Sequence, residues 1–263
     1  MSFNDTIAAI STSNPAFEPG QVWLAGAGPG DPRYLTLEVA DALSKADSIV
    51  YDALVSPQVL ALAGEAELHF VGKRGGKPSA TQDSITVLLL ELARAGKKVL
   101  RLKGGDPFIF GRGGEEAEAL VNAGIPFRIL PGLTSSLAAL ASARIPATMR
   151  GISRSITLAT GHAAGTDEDL DWRALARVGE PIVVYMGLKM IGGITRLLIE
   201  GGLPPETPTA VIMSATTPDE KLLIATLATV EAEVERQNFA APALIVIGDI
   251  VSMRQILTAE APR

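Results

Sequence analysis

The stretch at residues 99–116 runs Val-Leu-Arg-Leu-Lys-Gly-Gly-Asp-Pro-Phe-Ile-Phe-Gly-Arg-Gly-Gly-Glu-Glu, and it compresses a strand, an open glycine loop and a helix start into one segment. Val99 to Leu102 is a β-branched and aliphatic run of strand character. Gly104 and Gly105 allow a backbone to approach a ligand closely, and Gly113-Gly114-Glu115-Glu116 opens a helix whose first turn is acidic, as the helix dipole favours. Open α/β sheets place their ligands at such strand-to-helix loops. The same composition also serves in plain connections, so the segment alone leaves both uses open.

The alternation extends in both directions. Strands are predicted at residues 21–25, 48–51, 68–71 and 99–102. Helices are predicted from near Thr36, whose hydroxyl can cap a segment with Leu35, Val39 and Leu43 at helical spacing, and at 59–63, 85–95 (closed by Gly96) and 115–123 (closed by Gly124). This pattern implies a mostly parallel sheet with helices on both faces. After Pro146 the sequence Met149-Arg150-Gly151 interrupts it. Strands then follow at 155–160, 181–185, 209–212, 222–225 and 243–247, with helices at 194–200 and 230–237, and residues 222–225 are a candidate antiparallel member. The expected organisation is a loose arm over 1–20, an N-terminal α/β domain over 21–147 and a C-terminal α/β domain over 148–263.

Composition narrows the function classes. Hydrophobic residues make up 47% and charged residues 20%, an ordinary globular balance. No apolar run reaches the roughly 18 residues of a membrane helix, and the N-terminus lacks a basic region followed by an apolar one, so no membrane role and a cytoplasmic location are expected. There is no cysteine and there are two histidines, His69 and His162, which argues against disulfides, thiolate chemistry and a metal site. A net charge of −6 argues against a nucleic-acid partner.

Gly26-Ala27-Gly28, with Asp52 closing the next strand, imitates a dinucleotide-binding fingerprint. The imitation fails at the third glycine. Asp31 stands there, and Pro29 and Pro32 stiffen the loop so that no helix can begin at once to receive a pyrophosphate.

The motifs Gly26-Ala27-Gly28-Pro29-Gly30-Asp31-Pro32, Tyr51-Asp52, Val71-Gly72-Lys73-Arg74, Pro131-Gly132-Leu133-Thr134-Ser135 and Thr160-Gly161-His162, together with residues 99–116, occur in one order across nearly the whole chain. In them the sequence resembles the tetrapyrrole methylase family, and within it the branch that acts on uroporphyrinogen III. The resemblance implies two α/β domains with S-adenosylmethionine folded into the cleft between them, its product being S-adenosylhomocysteine. It implies cofactor contacts at Pro29, Gly104, Gly105, Asp106, Ile109, Thr134 and Ser135, and from the second domain at Met186, Ala215 and Leu244. Taken alone, Met186 would be ordinary core, and Ala215, where many relatives have glycine, offers only backbone.

The implied substrate carries a ring of carboxylates, so cations must gather locally in an acidic chain. Lys73, Arg74, Lys77, Arg101, Lys103, Arg112, Arg150 and Arg154 lie in or beside the motifs, and at least half of them are expected to face the substrate. Lys73, Arg74, Arg112, Arg150 and His162 are the expected tetrapyrrole contacts. By the same resemblance Asp52 takes the proton-acceptor position and Lys73 the proton-donor position. Lys73 could equally anchor a carboxylate, Asp52 could be a strand-end turn residue, and His162 could cap its loop. The implied activity is methylation of uroporphyrinogen III at C2 and C7 to precorrin-2, for cobalamin or sirohaem, by a homodimer. A later precorrin methyltransferase, or a tetrapyrrole-binding protein without catalysis, is the alternative. Some relatives carry an N-terminal module that oxidises precorrin-2 and inserts iron. About twenty residues precede the first strand here, fewer than the roughly thirty of a βαβ unit, so that activity is not expected.

Overall fold

The computed structural model describes residues 15–72, 81–162 and 170–259, and it divides into two units, one ending at Ser135 and the other beginning at Ser136. In the first unit, β1 (Val22–Gly26), β2 (Ser48–Tyr51), β3 (Glu67–Phe70), β4 (Val99–Lys103) and β5 (Phe127–Leu130) form one sheet in the order β3-β2-β4-β1-β5. Every pairing in it is parallel, as the alternation predicts. Between the strands run α1 (Leu37–Lys45), α2 (Pro57–Leu60), α3 (Gln82–Arg94) and α4 (Gly113–Asn122).

Strand alternation explains why both faces are covered. Trp23, Ala25, Leu100 and Leu102 pack with Val39 and Leu43 of α1, whereas Val22, Leu24 and Val99 pack with Ile85 and Leu89 of α3 and Leu120 of α4. Thr36 caps α1 as expected, its hydroxyl accepting from the Val39 amide at 3.3 Å. The third helix begins at Gln82, ahead of the apolar period, because Thr81 caps it by accepting from the Ser84 amide at 3.1 Å. Strand β5 had no sequence-based counterpart; it is a four-residue edge strand of which only Leu130 is fully buried.

The second unit contains α5 (Ser135–Ser142, which starts one residue before the division), β6 (Thr157–Thr160), α6 (Trp172–Val178), β7 (Ile182–Tyr185), α7 (Ile191–Glu200), β8 (Pro208–Met213), β9 (Lys221–Thr226), α8 (Val230–Arg236), β10 (Ala243–Ile247) and α9 (Met253–Thr258). The sheet order is β6-β7-β10-β8-β9. Only β6 and β7 pair in parallel; β10 is antiparallel to β7 and to β8, and β8 to β9. Sequence reading allowed for an antiparallel β9 but not for β10. The link over residues 214–220 is too short for a crossover, so it reverses the chain, and the α8 crossover then preserves the reversed direction into β10.

The division falls before residue 147, the boundary expected from sequence, for a packing reason. Ala139 and Leu140 of α5, with Ala143 and Ile145 beyond it, are buried together with Val183, Ala210, Ile212 and Val246 of the second sheet.

Candidate active site

The order β4-β1-β5 sets three strand ends side by side, and the loops leaving them meet. Gly28 and Gly105 exchange backbone hydrogen bonds, the Gly28 amide donating to the Gly105 carbonyl at 3.1 Å and the Gly105 amide to the Gly28 carbonyl at 2.7 Å. A Cβ on Gly26 would stand 2.5 Å from the Gly105 carbonyl oxygen and 2.5 Å from the Gly132 Cα, so only glycine lets the three backbones converge. Asp106 ties the junction. Its Oδ1 accepts from the Phe108 amide at 2.8 Å and its Oδ2 from the Gly132 amide at 3.0 Å. Beside it, the space at Gly105 is bounded by the Ser135 hydroxyl and by buried Thr134. Of the expected cofactor residues, Gly105, Asp106, Thr134 and Ser135 are thus brought together, with Pro29, Gly104 and Ile109 in the same loops.

Asp52 directly follows β2. Its Oδ1 accepts from the Leu54 amide at 3.0 Å, closing a local turn, and its Oδ2 lies 3.9 Å from Nη2 of Arg101, with 27% of the side chain exposed. Arg101 and Lys103 alternate with Leu100 and Leu102 on β4, so they point to the face covered by α3 and α4. There Glu116, fully buried in the first turn of α4, receives them. Its Oε1 accepts from Arg101 Nε at 3.0 Å, Lys103 Nζ at 3.0 Å and Gln82 Nε2 at 3.1 Å, and its Oε2 accepts from Lys103 at 3.1 Å. Burial, and then the charge of Arg101, hold the Lys103 ammonium below the usual lysine range, while Glu116 pulls the other way.

These contacts take two of the eight cations out of the expected substrate cluster. Arg101 and Lys103 are buried and committed to Glu116, so they are not displayed to a ligand's carboxylates. Arg112 is exposed, in left-handed backbone (φ +58°), and its Nε donates to Glu115 Oε1 at 2.9 Å; that hydrogen bond raises the guanidinium and lowers the Glu115 carboxyl. Arg150 and Arg154 are exposed near the turn in which Ser153 Oγ accepts from the Met149 amide. Lys73, Arg74 and Lys77 lie outside the described residues.

In the second unit β6, β7 and β8 run the same way, so their C-terminal ends share an edge with the N-terminal end of β10. His162 leaves β6 there, exposed, after Gly161, whose Cβ would stand 2.6 Å from the Gly187 Cα. Met186 leaves β7 in left-handed backbone (φ +54°) with 54% of its surface exposed, so it is not the core residue its type suggests. Ala215 leaves β8 between Ser214 (φ +49°) and Thr216 (φ +67°). Non-glycine residues in this region carry strain, and such residues concentrate at functional sites. Leu244 sits opposite Tyr185 and Ile212 at the same edge, its side chain buried in the core. Among the described residues, the hydroxyls of Thr160 and Thr216 are buried without a hydrogen-bond partner.

Residues 21–231 match the profile of the Tetrapyrrole (Corrin/Porphyrin) Methylases. This chain belongs to the tetrapyrrole methylase family. It is 51% identical over 246 residues to the uroporphyrinogen-III C-methyltransferase of Sinorhizobium sp, covering 92% of this chain and 88% of that one. It is 45% identical over 239 residues to the siroheme synthase of Gluconacetobacter diazotrophicus, of which it spans 51%. Among solved structures of the family, the uroporphyrin-III C-methyl transferase of Thermus thermophilus, complexed with S-adenyl homocysteine, superposes with a TM-score of 0.77 at 40% identity over 89% of this chain and 99% of that one. A cobalt precorrin-4 methyltransferase superposes with a TM-score of 0.81 at 26% identity, over 91% and 99% of the two chains.

Sequence reading missed Glu116 and Gln82 as partners of the buried cations. A signal existed. Arg101 and Lys103 recur at period two in a strand buried on both faces, which demands a buried anion from the helix that follows.

Proposed function

We propose that this chain methylates uroporphyrinogen III at C2 and C7, using S-adenosylmethionine, to give precorrin-2. The observation that carries the proposal is the 51% identity, across nearly the full length of both chains, to a protein named for that transfer. When bound, S-adenosylmethionine supplies the methyl group and leaves as S-adenosylhomocysteine. The first unit suits such a ligand. Its converging glycines expose backbone groups, Asp106 puts a carboxylate at the junction, and Thr134 and Ser135 stand beside it. Pro29, Gly104, Gly105, Asp106, Ile109, Thr134 and Ser135 are the proposed contacts there, with Met186, Ala215 and Leu244 of the second unit as further candidates.

Positioning supplies most of what a methyl transfer needs from its enzyme. The ring carbon that gains the methyl group must then shed a proton, and Asp52 is proposed to accept it. Its carboxylate is held at a strand end by the Leu54 amide and by Arg101, yet stays partly open to solvent. Arg112, Arg150 and His162 are the described candidates for holding the tetrapyrrole, beside Lys73 and Arg74. The resemblance further supports a cytoplasmic homodimer feeding cobalamin or sirohaem synthesis. Light scattering should give a dimer, and a stable monomer at micromolar concentration would contradict it.

A later precorrin methyltransferase is the second reading, because the cobalt precorrin-4 enzyme superposes as well as the uroporphyrin one. Mass spectrometry of the tetrapyrrole after anaerobic incubation with uroporphyrinogen III and excess S-adenosylmethionine separates the two. Two added methyl groups are expected. No methylation would overturn the proposal, and a single methyl group at completion would favour the second reading.

A further inference from the structure

Arg101 sits at the centre of a buried charge set whose other members are anchored and whose one partly exposed member is Asp52. Its three nitrogens are all engaged. Nε donates to Glu116 at 3.0 Å, Nη1 to the carbonyls of Val50 at 3.3 Å and Leu102 at 3.2 Å, and Nη2 faces Asp52 Oδ2 at 3.9 Å, an ion-pair separation. Glu116 is itself fixed by Lys103 and Gln82. Two buried cations therefore face one buried anion, and among the described residues the charge left over is met by Asp52.

We infer that Arg101 is a positioning residue for Asp52, clamped by Glu116 so that it fixes where the Asp52 carboxylate points and keeps a counter-charge behind it. The inference rests on the proposal that Asp52 accepts the proton. A planar guanidinium can span a carboxylate on α4, two carbonyls in the sheet and a carboxylate at the end of β2, whereas an ammonium cannot. Charge alone should therefore not rescue the position.

A cycle of Arg101→Lys, Asp52→Asn and the double variant tests this, with kcat, KM for the tetrapyrrole, cofactor affinity and melting temperature read for each. Arg101→Lys is expected to lower kcat about tenfold or more and leave cofactor affinity unchanged. In the Asp52→Asn background the same substitution should change kcat less than twofold, because the group it acts through is gone. An equal penalty in both backgrounds would make Arg101 merely structural and overturn the inference. If Asp52→Asn alone leaves kcat intact, the proton-acceptor reading fails first and this inference falls with it. Should Arg101→Lys not fold, Glu116→Gln, which keeps the hub's shape but loosens the clamp, enters the same cycle with the same expectations.

Discussion

The two units bury different polar groups. Arg101, Lys103 and Glu116, the charged side chains buried among the described residues, all belong to the first unit; the polar side chains buried in the second are hydroxyls, those of Ser136, Ser153, Thr195, Thr207 and Thr209. The second unit instead spends strain, holding Met186, Ser214 and Thr216 in left-handed backbone where β7 and β8 end. Strained backbone alone does not separate them, since Phe110 and Arg112 of the first unit share it. We read the difference as a division of labour. On the proposed function, a buried ion set would fix the carboxylate that takes the proton, and a strained, partly apolar edge would present backbone and thioether surface for contact.

The largest test of that contrast is Glu116→Leu. It strands two buried cations, a change that typically costs 3–5 kcal/mol and should lower the melting temperature by about 10 °C. Its counterpart in the second unit, Ser136→Ala, removes a buried hydroxyl with no hydrogen-bond partner among the described residues and should shift stability by less than about 0.5 kcal/mol. Denaturant unfolding that gave the two variants equal losses would erase the distinction.

Met186→Gly sharpens it from the other side. The substitution relieves a left-handed conformation at the cost of chain entropy, so stability should hold or rise by up to about 1 kcal/mol. Cofactor affinity should fall on the order of tenfold, about 1.4 kcal/mol, for the loss of the thioether's contact. Calorimetry showing full affinity would leave Met186 as strain without a use.

A smaller effect comes from Lys103. Because burial and Arg101 hold its folded pKa below the ordinary value of 10.5, the unfolded chain binds a proton that the native state has released between those two values. The wild-type protein should therefore gain stability relative to Lys103→Met as pH rises through that window, by no more than about 1.4 kcal/mol per pH unit. A difference that shrinks with rising pH would mean the Glu116 ion pair outweighs the burial.

Much of the fold was legible because its signals are local. Thr36 announced its helix as a cap, Gly96 and Gly124 closed theirs, and the aliphatic runs of β1, β2 and β4 could only be buried strands. What escaped was set by partners distant in sequence. Residues 127–130 are a strand because β1 offers them an edge, and α5 belongs to the second unit because Ala139 and Leu140 find that unit's core. At the site, the close approach of the glycine loops was legible in the motif. The commitment of Arg101 and Lys103 did not, since a charge on a strand reads as a ligand for substrate until the helix that neutralises it is placed over it.

The most direct measurement is single-turnover methylation of uroporphyrinogen III by Asp52→Asn and by Met186→Gly, each with S-adenosylmethionine raised to saturation. Asp52→Asn should turn over about a hundredfold or more slowly with cofactor affinity intact, as expected when a general base is lost, while saturating cofactor should restore Met186→Gly to the wild-type rate. An Asp52→Asn protein that keeps the wild-type rate across neutral pH would contradict it and return Asp52 to the role of a strand-end turn.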